Sequence, residues 1–114
     1  MHEASIVLSL LDTLSSKCLE EGYSSIESVK LKIGMASGIM PEAIDFAFQA
    51  AKQDTVASNA ELLIEMVPVG GSCSECGRNF EVDEKYVLKC PLCGSLSFRI
   101  NKGHELDIVE MEVS

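Results

Sequence analysis

Apolar residues recur at helical spacing over residues 2–21, and this pattern predicts an amphipathic helix that begins almost at the first residue. The members of this apolar stripe are Ile6, Val7, Leu10, Leu11, Leu14, Cys18 and Leu19. A second helix is predicted to begin at Pro41-Glu42, because proline is favoured in the first turn and a carboxylate suits the positive end of the helix dipole. Its predicted buried face comprises Ile44, Ala47, Phe48 and Ala51.

Three other segments are predicted to be strands, and the first two alternate apolar and polar residues, which indicates one wet face. The first covers residues 26–33, and the second is centred on Leu62, Ile64 and Met66, with Pro68 and Gly70-Gly71 expected to end it. The third covers residues 105–113, where the apolar positions change parity, which suggests a bulge or a strand covered on both faces. It is too apolar to stand alone. We therefore predict that the C-terminal strand returns to the sheet formed by the first two.

Residues 72–103 have a different character, with paired cysteines, short β-like pieces at 86–88 and 97–100, and few large apolar side chains. We expect this piece to lack a hydrophobic core of its own and to need a cross-link to stay folded. The predicted fold class is α+β: two helices packed on a small mixed β-sheet, with an inserted four-cysteine zinc-ribbon module. The predicted domains are an α/β domain made of residues 1–70 plus 104–114, and a module made of residues 71–103.

The net charge of the chain argues against some classes of binding partner. The 114 residues carry 18 acidic and 9 basic side chains, for a net charge of −9. Residues 71–104 hold five basic and four acidic groups, so the rest of the chain carries four basic and fourteen acidic ones. Such acidity argues against a nucleic-acid partner, because phosphate contacts require Lys and Arg. With no cationic leader and no apolar run of ~18 residues, we expect a cytoplasmic protein without a membrane partner.

Four of the five cysteines form two copies of C-x2-C-G, namely Cys73-Ser-Glu-Cys76-Gly and Cys90-Pro-Leu-Cys93-Gly, separated by thirteen residues. Two such turns supply the four thiolates that Zn²⁺ takes in a closed tetrahedron. An iron–sulfur cluster or redox sensing is the alternative use of the same ligands. A closed four-thiolate site leaves no position for water or substrate, so the expected role is structural and no enzyme activity is predicted.

Cys18 and His104 are not assigned a metal-binding role. Cys18 lies on the apolar stripe of the first helix and is expected to be a small core residue. His104 follows Gly103 at the start of the last strand and is interpreted as a surface residue without an assigned role.

The N-terminus, Met1-His2-Glu3, offers a second and chemically opposite site. The Met1 amine, the His2 amide nitrogen and the His2 imidazole can close adjacent chelate rings, and the Glu3 amide or carboxylate could add a fourth donor. Nitrogen-rich planar sets of this kind suit Ni(II) or Cu(II). Position alone does not distinguish such a ligand from an exposed terminal histidine.

Taken together, these motifs resemble the HypA/HybF family of hydrogenase nickel-incorporation proteins over essentially the whole chain. The shared features are the opening Met1-His2-Glu3, the Ile33-Gly34 strand end, the Pro41-Glu42 helix start with Phe46-Ala47-Phe48, the paired C-x2-C turns, and the exit at residues 103–106. One departure is the loop at residues 35–40, which has no acidic residue to help hold nickel.

The resemblance implies a nickel metallochaperone that binds Ni²⁺ through His2 and its neighbouring backbone nitrogens and carries structural Zn²⁺ on Cys73, Cys76, Cys90 and Cys93. The implied partners are a HypB-type GTPase and the large subunit of [NiFe] hydrogenase. Some family members also serve urease, which would add urease accessory proteins. The alternatives are a zinc-ribbon protein–protein adaptor without metal delivery and, more distantly, a nucleic-acid-binding zinc ribbon.

Overall fold

The computed structural model describes residues 3–114, and within that range the chain forms two helices and six strands. Their order along the chain is α1 Glu3–Glu20, β1 Ile26–Gly34, α2 Pro41–Ala51, β2 Glu61–Val67, β3 Val69–Cys73, β4 Asn79–Val82, β5 Phe98–Lys102 and β6 Leu106–Val113. Both predicted helices and all three predicted strands are present, but β6 is not covered on both faces, because residues 106–110 are all exposed. Neither helix in residues 3–114 combines the length and apolar content needed to cross a bilayer.

The strands form two three-stranded sheets, in the orders β2-β1-β6 and β4-β3-β5. The end of β1 meets the end of β2, where the Met35 N–H donates to Val67 O at 2.9 Å, so these two strands run parallel, with α2 in the crossover. The start of β1 instead meets the end of β6, where the Ser114 N–H donates to Ser25 O at 2.9 Å, so this pair is antiparallel. The first sheet is therefore mixed and includes the C-terminal strand, which confirms the predicted fold class.

The described chain falls into two compact units. The first contains the N-terminal segment through Leu31, Ile39–Glu65 and Ile108–Ser114, and the second contains Lys32–Gly38 and Met66–Asp107. Compactness is not independent folding, so the domain boundaries drawn from the sequence stay a prediction.

The core of the first unit consists of the apolar faces of the two helices and of β1, with two alanines from the segment between α2 and β2. Its buried residues are Ile6, Val7, Leu11, Leu14, Cys18, Ile26, Val29, Leu31, Ile44, Phe48, Ala57 and Ala60. The α1 stripe is buried in part as predicted, but Leu19 is 59% exposed because it lies at the margin of the stripe in the last turn. In α2, the buried residues are Ile44 and Phe48, while Phe46 on the opposite side is 78% exposed.

The second unit contains a small apolar cluster around the cysteines, so the expectation that this part of the chain would have no core was wrong. Cys73, Phe80 and Cys90 are buried there, and the partly buried Cys76, Val82, Val87, Phe98 and Ile100 pack against them. The Phe80 and Phe98 rings meet edge to face, with centroids 6.0 Å apart. The β-like piece at residues 86–88 forms no strand, and within it only Val87 packs against the cluster.

The glycine pair expected to end the second strand has another role. β2 ends before Pro68 as predicted, but Gly70 and Gly71 lie inside β3, between β4 and β5. A Cβ on Gly71 would lie 2.3 Å from Arg99 O and 2.9 Å from the Phe80 ring. The pair therefore permits close packing of neighbouring strands rather than a turn.

A second close approach joins the end of β1 to the segment before β6. The Ala36 N–H donates to Gly103 O at 2.8 Å, and the Gly34 N–H donates to Glu105 O at 2.8 Å. A Cβ on Gly34 would lie 2.0 Å from Gly103 O, so no other residue fits at this position without a backbone shift. The Glu105 carboxylate also accepts a 2.7 Å hydrogen bond from the Gly103 N–H.

Candidate metal centre

The first cysteine pair lies on a tight turn that follows β3. The Gly77 N–H donates to Cys73 O at 3.0 Å, and the Cys73 N–H donates to Arg78 O at 3.0 Å. Gly77 has φ +70°, and nothing lies within 4 Å of where its Cβ would be. The turn therefore needs glycine for its backbone conformation and not for lack of space.

The second pair repeats the same turn. The Gly94 N–H donates to Cys90 O at 2.8 Å, the Cys90 N–H donates to Ser95 O at 2.8 Å, and Gly94 has φ +81°. Matching hydrogen bonds and matching φ values explain why C-x2-C-G occurs twice, because each copy presents two sulfur atoms on the same side of a tight turn.

The two turns are joined by serines that the sequence analysis did not identify. The Ser74 N–H and Ser74 Oγ both donate to Ser97 O, at 2.9 and 2.7 Å. Ser95 Oγ in turn accepts from the Ser97 N–H at 3.0 Å. These bonds fix the second turn beside the first without help from the sulfur atoms. The only signal in the sequence is that serine follows Cys73 and flanks Leu96, which is too common to interpret.

The four sulfur atoms lie within 4.8 Å of one another. Cys73 Sγ and Cys93 Sγ are 3.6 Å apart, and Cys76 Sγ and Cys90 Sγ are 3.9 Å apart. A tetrahedron with metal–sulfur bonds of ~2.3 Å has sulfur–sulfur edges of about 3.8 Å. The described residues thus form a four-cysteine cluster with the dimensions of a tetrahedral metal site.

Backbone N–H groups favour the thiolate form at the first turn. The Cys76 N–H lies 3.5 Å from Cys73 Sγ and is the main cause of the lowered pKa of Cys73. The backbone N–H of Arg78 in turn lowers the pKa of Cys76 to about 6. Both effects are expected of a turn that directs donors at its sulfur atoms.

Cys93 behaves in the opposite way. A backbone hydrogen bond from Ser95 lowers its pKa, but desolvation and the side chains of the other three cysteines outweigh this bond and raise the pKa to about 12. Four thiolates this close repel one another, so at neutral pH they cannot all ionise by themselves. A divalent cation among them removes this obstacle, since a coordinated thiol loses its proton outright.

Burial differs between the first and the second cysteine of each pair. Cys73 and Cys90 are buried, Cys76 is partly buried and Cys93 is exposed. The first cysteine of each pair is thus buried in the apolar cluster with Phe80, while the second is more exposed, although Cys76 still packs against the cluster. A metal ion held by all four sulfur atoms would have no open position, so it could fix the fold of this segment but could not activate water.

The N-terminal site lies almost entirely outside the described residues, which begin at Glu3, so Met1 and His2 stay predictions. Glu3 is the first residue of α1, and its carboxylate Oε2 accepts a hydrogen bond from the Met40 N–H at 3.4 Å. The loop at residues 35–40 has no acidic residue of its own, and this contact brings one to its last position. This contact could not be predicted from the sequence, because 37 residues separate the two groups.

Cys18 and His104 lie where the sequence predicts, the first in the core and the second on the surface. Cys18 is fully buried in the first unit and is not one of the four clustered cysteines. His104 is exposed in the segment between β5 and β6.

Comparison with known proteins gives a consistent result along the whole chain. A sequence profile described as "Hydrogenase/urease nickel incorporation, metallochaperone, hypA" matches residues 1–113. The hydrogenase maturation factor HypA of Chlorobium luteolum is 44% identical over 105 residues, covering 92% of this chain and 89% of that protein. The corresponding factor of Geobacter metallireducens is 40% identical over 113 residues and 99% of each chain.

A solved structure agrees with these relatives. The solution structure of the Ni metallochaperone HypA from Helicobacter pylori has a TM-score of 0.70 and 26% sequence identity, and the match covers 99% of this chain and 97% of that one.

The α+β fold with an inserted four-cysteine cluster defines a small metal-binding protein. The chain belongs to the HypA family of hydrogenase and urease nickel-incorporation metallochaperones, which confirms the resemblance found in the sequence. It is a nickel metallochaperone for hydrogenase maturation and not an enzyme, and its role in nickel incorporation implies partners in that maturation.

Proposed function

We propose that this chain carries Ni²⁺ at its N-terminus, on the Met1 amine, the backbone nitrogen of His2 and the His2 imidazole. The observation that supports this most directly is that the family match begins at residue 1 and so includes Met1-His2-Glu3. These nitrogen donors are the kind that Ni(II) prefers. Because α1 begins at Glu3, the cation would face the positive end of the helix dipole, which keeps the affinity moderate and favours release of the cargo.

We further propose that Cys73, Cys76, Cys90 and Cys93 hold a structural Zn²⁺. Support comes from the four soft donors, from sulfur–sulfur distances of 3.6 and 3.9 Å that match a tetrahedral site, and from the N–H groups directed at the first pair. When bound, zinc would cross-link the two turns and do no further chemistry. The chain itself holds the two turns next to each other.

Glu3 is proposed as an additional nickel ligand, through its amide or its carboxylate. Support comes from its position, since Glu3 directly follows His2 and is the first residue of α1. Its carboxylate also accepts a hydrogen bond from the Met40 N–H at 3.4 Å, which places it beside the loop at residues 35–40.

The partners proposed for this chain are a HypB-type GTPase and the large subunit of [NiFe] hydrogenase, with urease accessory proteins as further recipients. The proposed compartment is the cytoplasm, where thiols that hold zinc stay reduced. Family membership favours this reading over a zinc-ribbon adaptor without metal delivery.

The test is a nickel titration by calorimetry of zinc-loaded protein with its native N-terminus. We expect His2→Ala to abolish high-affinity binding, and an N-terminal extension that converts the Met1 amine to an amide to do the same. His104→Ala removes the other histidine of the chain and is the matched control, expected to bind nickel normally. All forms should keep the same zinc content. Equal nickel affinity in native, extended and His2→Ala proteins would refute the terminal site.

The role of Glu3 is tested separately. If its carboxylate is a ligand, Glu3→Gln weakens nickel binding, whereas ligation through the amide leaves the affinity unchanged. Thermal unfolding monitors the fold in parallel and should change little, because surface substitutions usually alter stability by less than about 0.5 kcal/mol.

A further inference from the structure

A surface groove beside α1 has no role in the metal sites. It has a volume of about 500 Å³ and lies between one side of α1 and the strand β6. Its apolar lining includes Leu14 from the helix and Ile108 and Met111 from the strand. Ile108 and its neighbour Val109 are 42% and 44% exposed, so apolar surface continues out of the groove onto the strand.

The strand that borders the groove has an open edge. In the order β2-β1-β6, only β1 pairs with β6, and no other strand in residues 3–114 covers its outer side. An edge of this kind presents unpaired N–H and C=O groups that can accept one more strand. The edge and the groove are adjacent, so one extended segment could contact both.

The charged residues of the groove and of the strand that borders it are almost all negative. Asp12 and Glu20 line it from α1, and Glu110 and Glu112 are exposed on β6. The single cation in the lining, Lys17, is compensated by an ion pair with Glu21 at 3.2 Å.

We propose that the outer edge of β6 and the groove beside α1 receive an extended, basic segment of a partner protein. The segment pairs with β6 as an added strand, places an apolar side chain over Met111 and sets Lys or Arg against Glu110 and Glu112. Main-chain hydrogen bonds supply affinity in this mode of recognition, and side-chain pockets supply specificity. The proposal does not depend on where nickel binds.

Acidic residues on an edge strand also have a purely protective reading, in which they keep sheets from pairing with one another. Under this interpretation β6 does not pair with β6 of a second copy, because the pairing would place Glu110 and Glu112 against like charges. The same carboxylates that repel a second copy attract a basic strand, so the two readings differ in what happens when such a strand is offered.

The test uses metal-loaded full-length protein and three synthetic peptides of eight residues, the length of β6. One alternates lysine and valine, the second alternates glutamate and valine, and the third is the basic peptide N-methylated at every second residue. Affinity is measured by fluorescence anisotropy at two salt concentrations. Backbone amide shifts and hydrogen exchange identify where the peptide binds.

We expect the basic peptide to bind with perturbations confined to β6 and the facing side of α1, to protect β6 amides from exchange, and to weaken with salt. The acidic and N-methylated peptides should bind much more weakly. Glu110→Lys/Glu112→Lys should lower affinity by about tenfold, because two favourable cross-strand pairs become repulsive. Asp83→Lys/Glu84→Lys makes the same change of net charge at two exposed positions of the second unit and should leave the affinity unchanged.

Glu110→Gln/Glu112→Gln removes the two negative charges without adding repulsion and serves as a second variant should the lysine variant fold poorly. It is expected to lose part of the affinity for the basic peptide. Equal losses of peptide affinity in the β6 variants and in the Asp83/Glu84 variant would show that only the net charge of the protein matters, which would overturn the proposal. It would equally fail if no peptide binds at millimolar concentration, if basic and acidic peptides bind alike, or if β6 proves to be covered by a second copy of the chain.

Discussion

Replacement of Gly34 by alanine tests the closest backbone approach in the second unit. The new Cβ would lie 2.0 Å from Gly103 O, well inside contact distance, so one of the two backbones must move. Movement of Gly103 breaks the 2.8 Å hydrogen bond from the Ala36 N–H.

The cost has two parts. Overpacking of a well-packed site costs about 1–3 kcal/mol, and loss of a hydrogen bond adds about 1 kcal/mol. Gly34→Ala should therefore destabilise the protein by about 2–4 kcal/mol, a large share of the total of roughly 5–15 kcal/mol typical of a domain. For a chain of this size the expected fall in Tm is about 10 °C.

The matched control is Gly38→Ala, in the same loop region. Gly38 has φ +79° but nothing within 4 Å of its Cβ position, so alanine there meets strain without a clash and should cost only about 1 kcal/mol. Both variants are compared with the parent by thermal unfolding with metal present. If Gly34→Ala is no more destabilising than Gly38→Ala, the steric reasoning is wrong.

Three further outcomes are expected at the cysteine cluster. Cys90→Ala should lose the bound metal and disorder residues 71–103 by NMR while the helical circular dichroism signal stays, and global unfolding would contradict the predicted domain division. Because only the thiolate binds metal and the pKa of Cys76 is about 6, the fall of metal affinity with decreasing pH should steepen by one proton below about pH 6, as competition with a chromogenic chelator would show. Phe98→Leu removes the edge-to-face contact with Phe80 and should lower the stability of the cluster by about 1 kcal/mol, measured by denaturant unfolding of metal-loaded protein.

The parts of the fold that could be predicted are those encoded by local periodicity. The stripe that includes Val7, Leu11 and Leu14 repeats over four turns, and the alternation in β1 includes three residues that are fully or almost fully buried. The return of β6 to the first sheet could also be predicted, because an apolar strand needs a partner.

What could not be predicted depends on contacts distant in sequence. β4 contains a single buried residue, Phe80, and its strand character comes from pairing with β3 rather than from its own pattern. Gly70 and Gly71 read as a turn because local statistics do not show that two neighbouring strands lie close to them. The cysteine ligands could be found from spacing alone, whereas the Ser74–Ser97 bonds and the Glu3–Met40 contact join segments that only the folded chain brings together.

The pairing of β3 with β5 has a consequence for how this architecture can change. Gly70 pairs with Lys102, so the chain enters and leaves the cysteine segment through neighbouring positions of one antiparallel ladder. A segment whose ends already lie side by side can be lengthened, shortened or exchanged for a hairpin without a change in strand order elsewhere. Recombination at this one position would give a protein that lacks the cysteine cluster and keeps both helices and the first sheet. Evolution or engineering could therefore alter or remove the cysteine segment without rebuilding the rest of the fold.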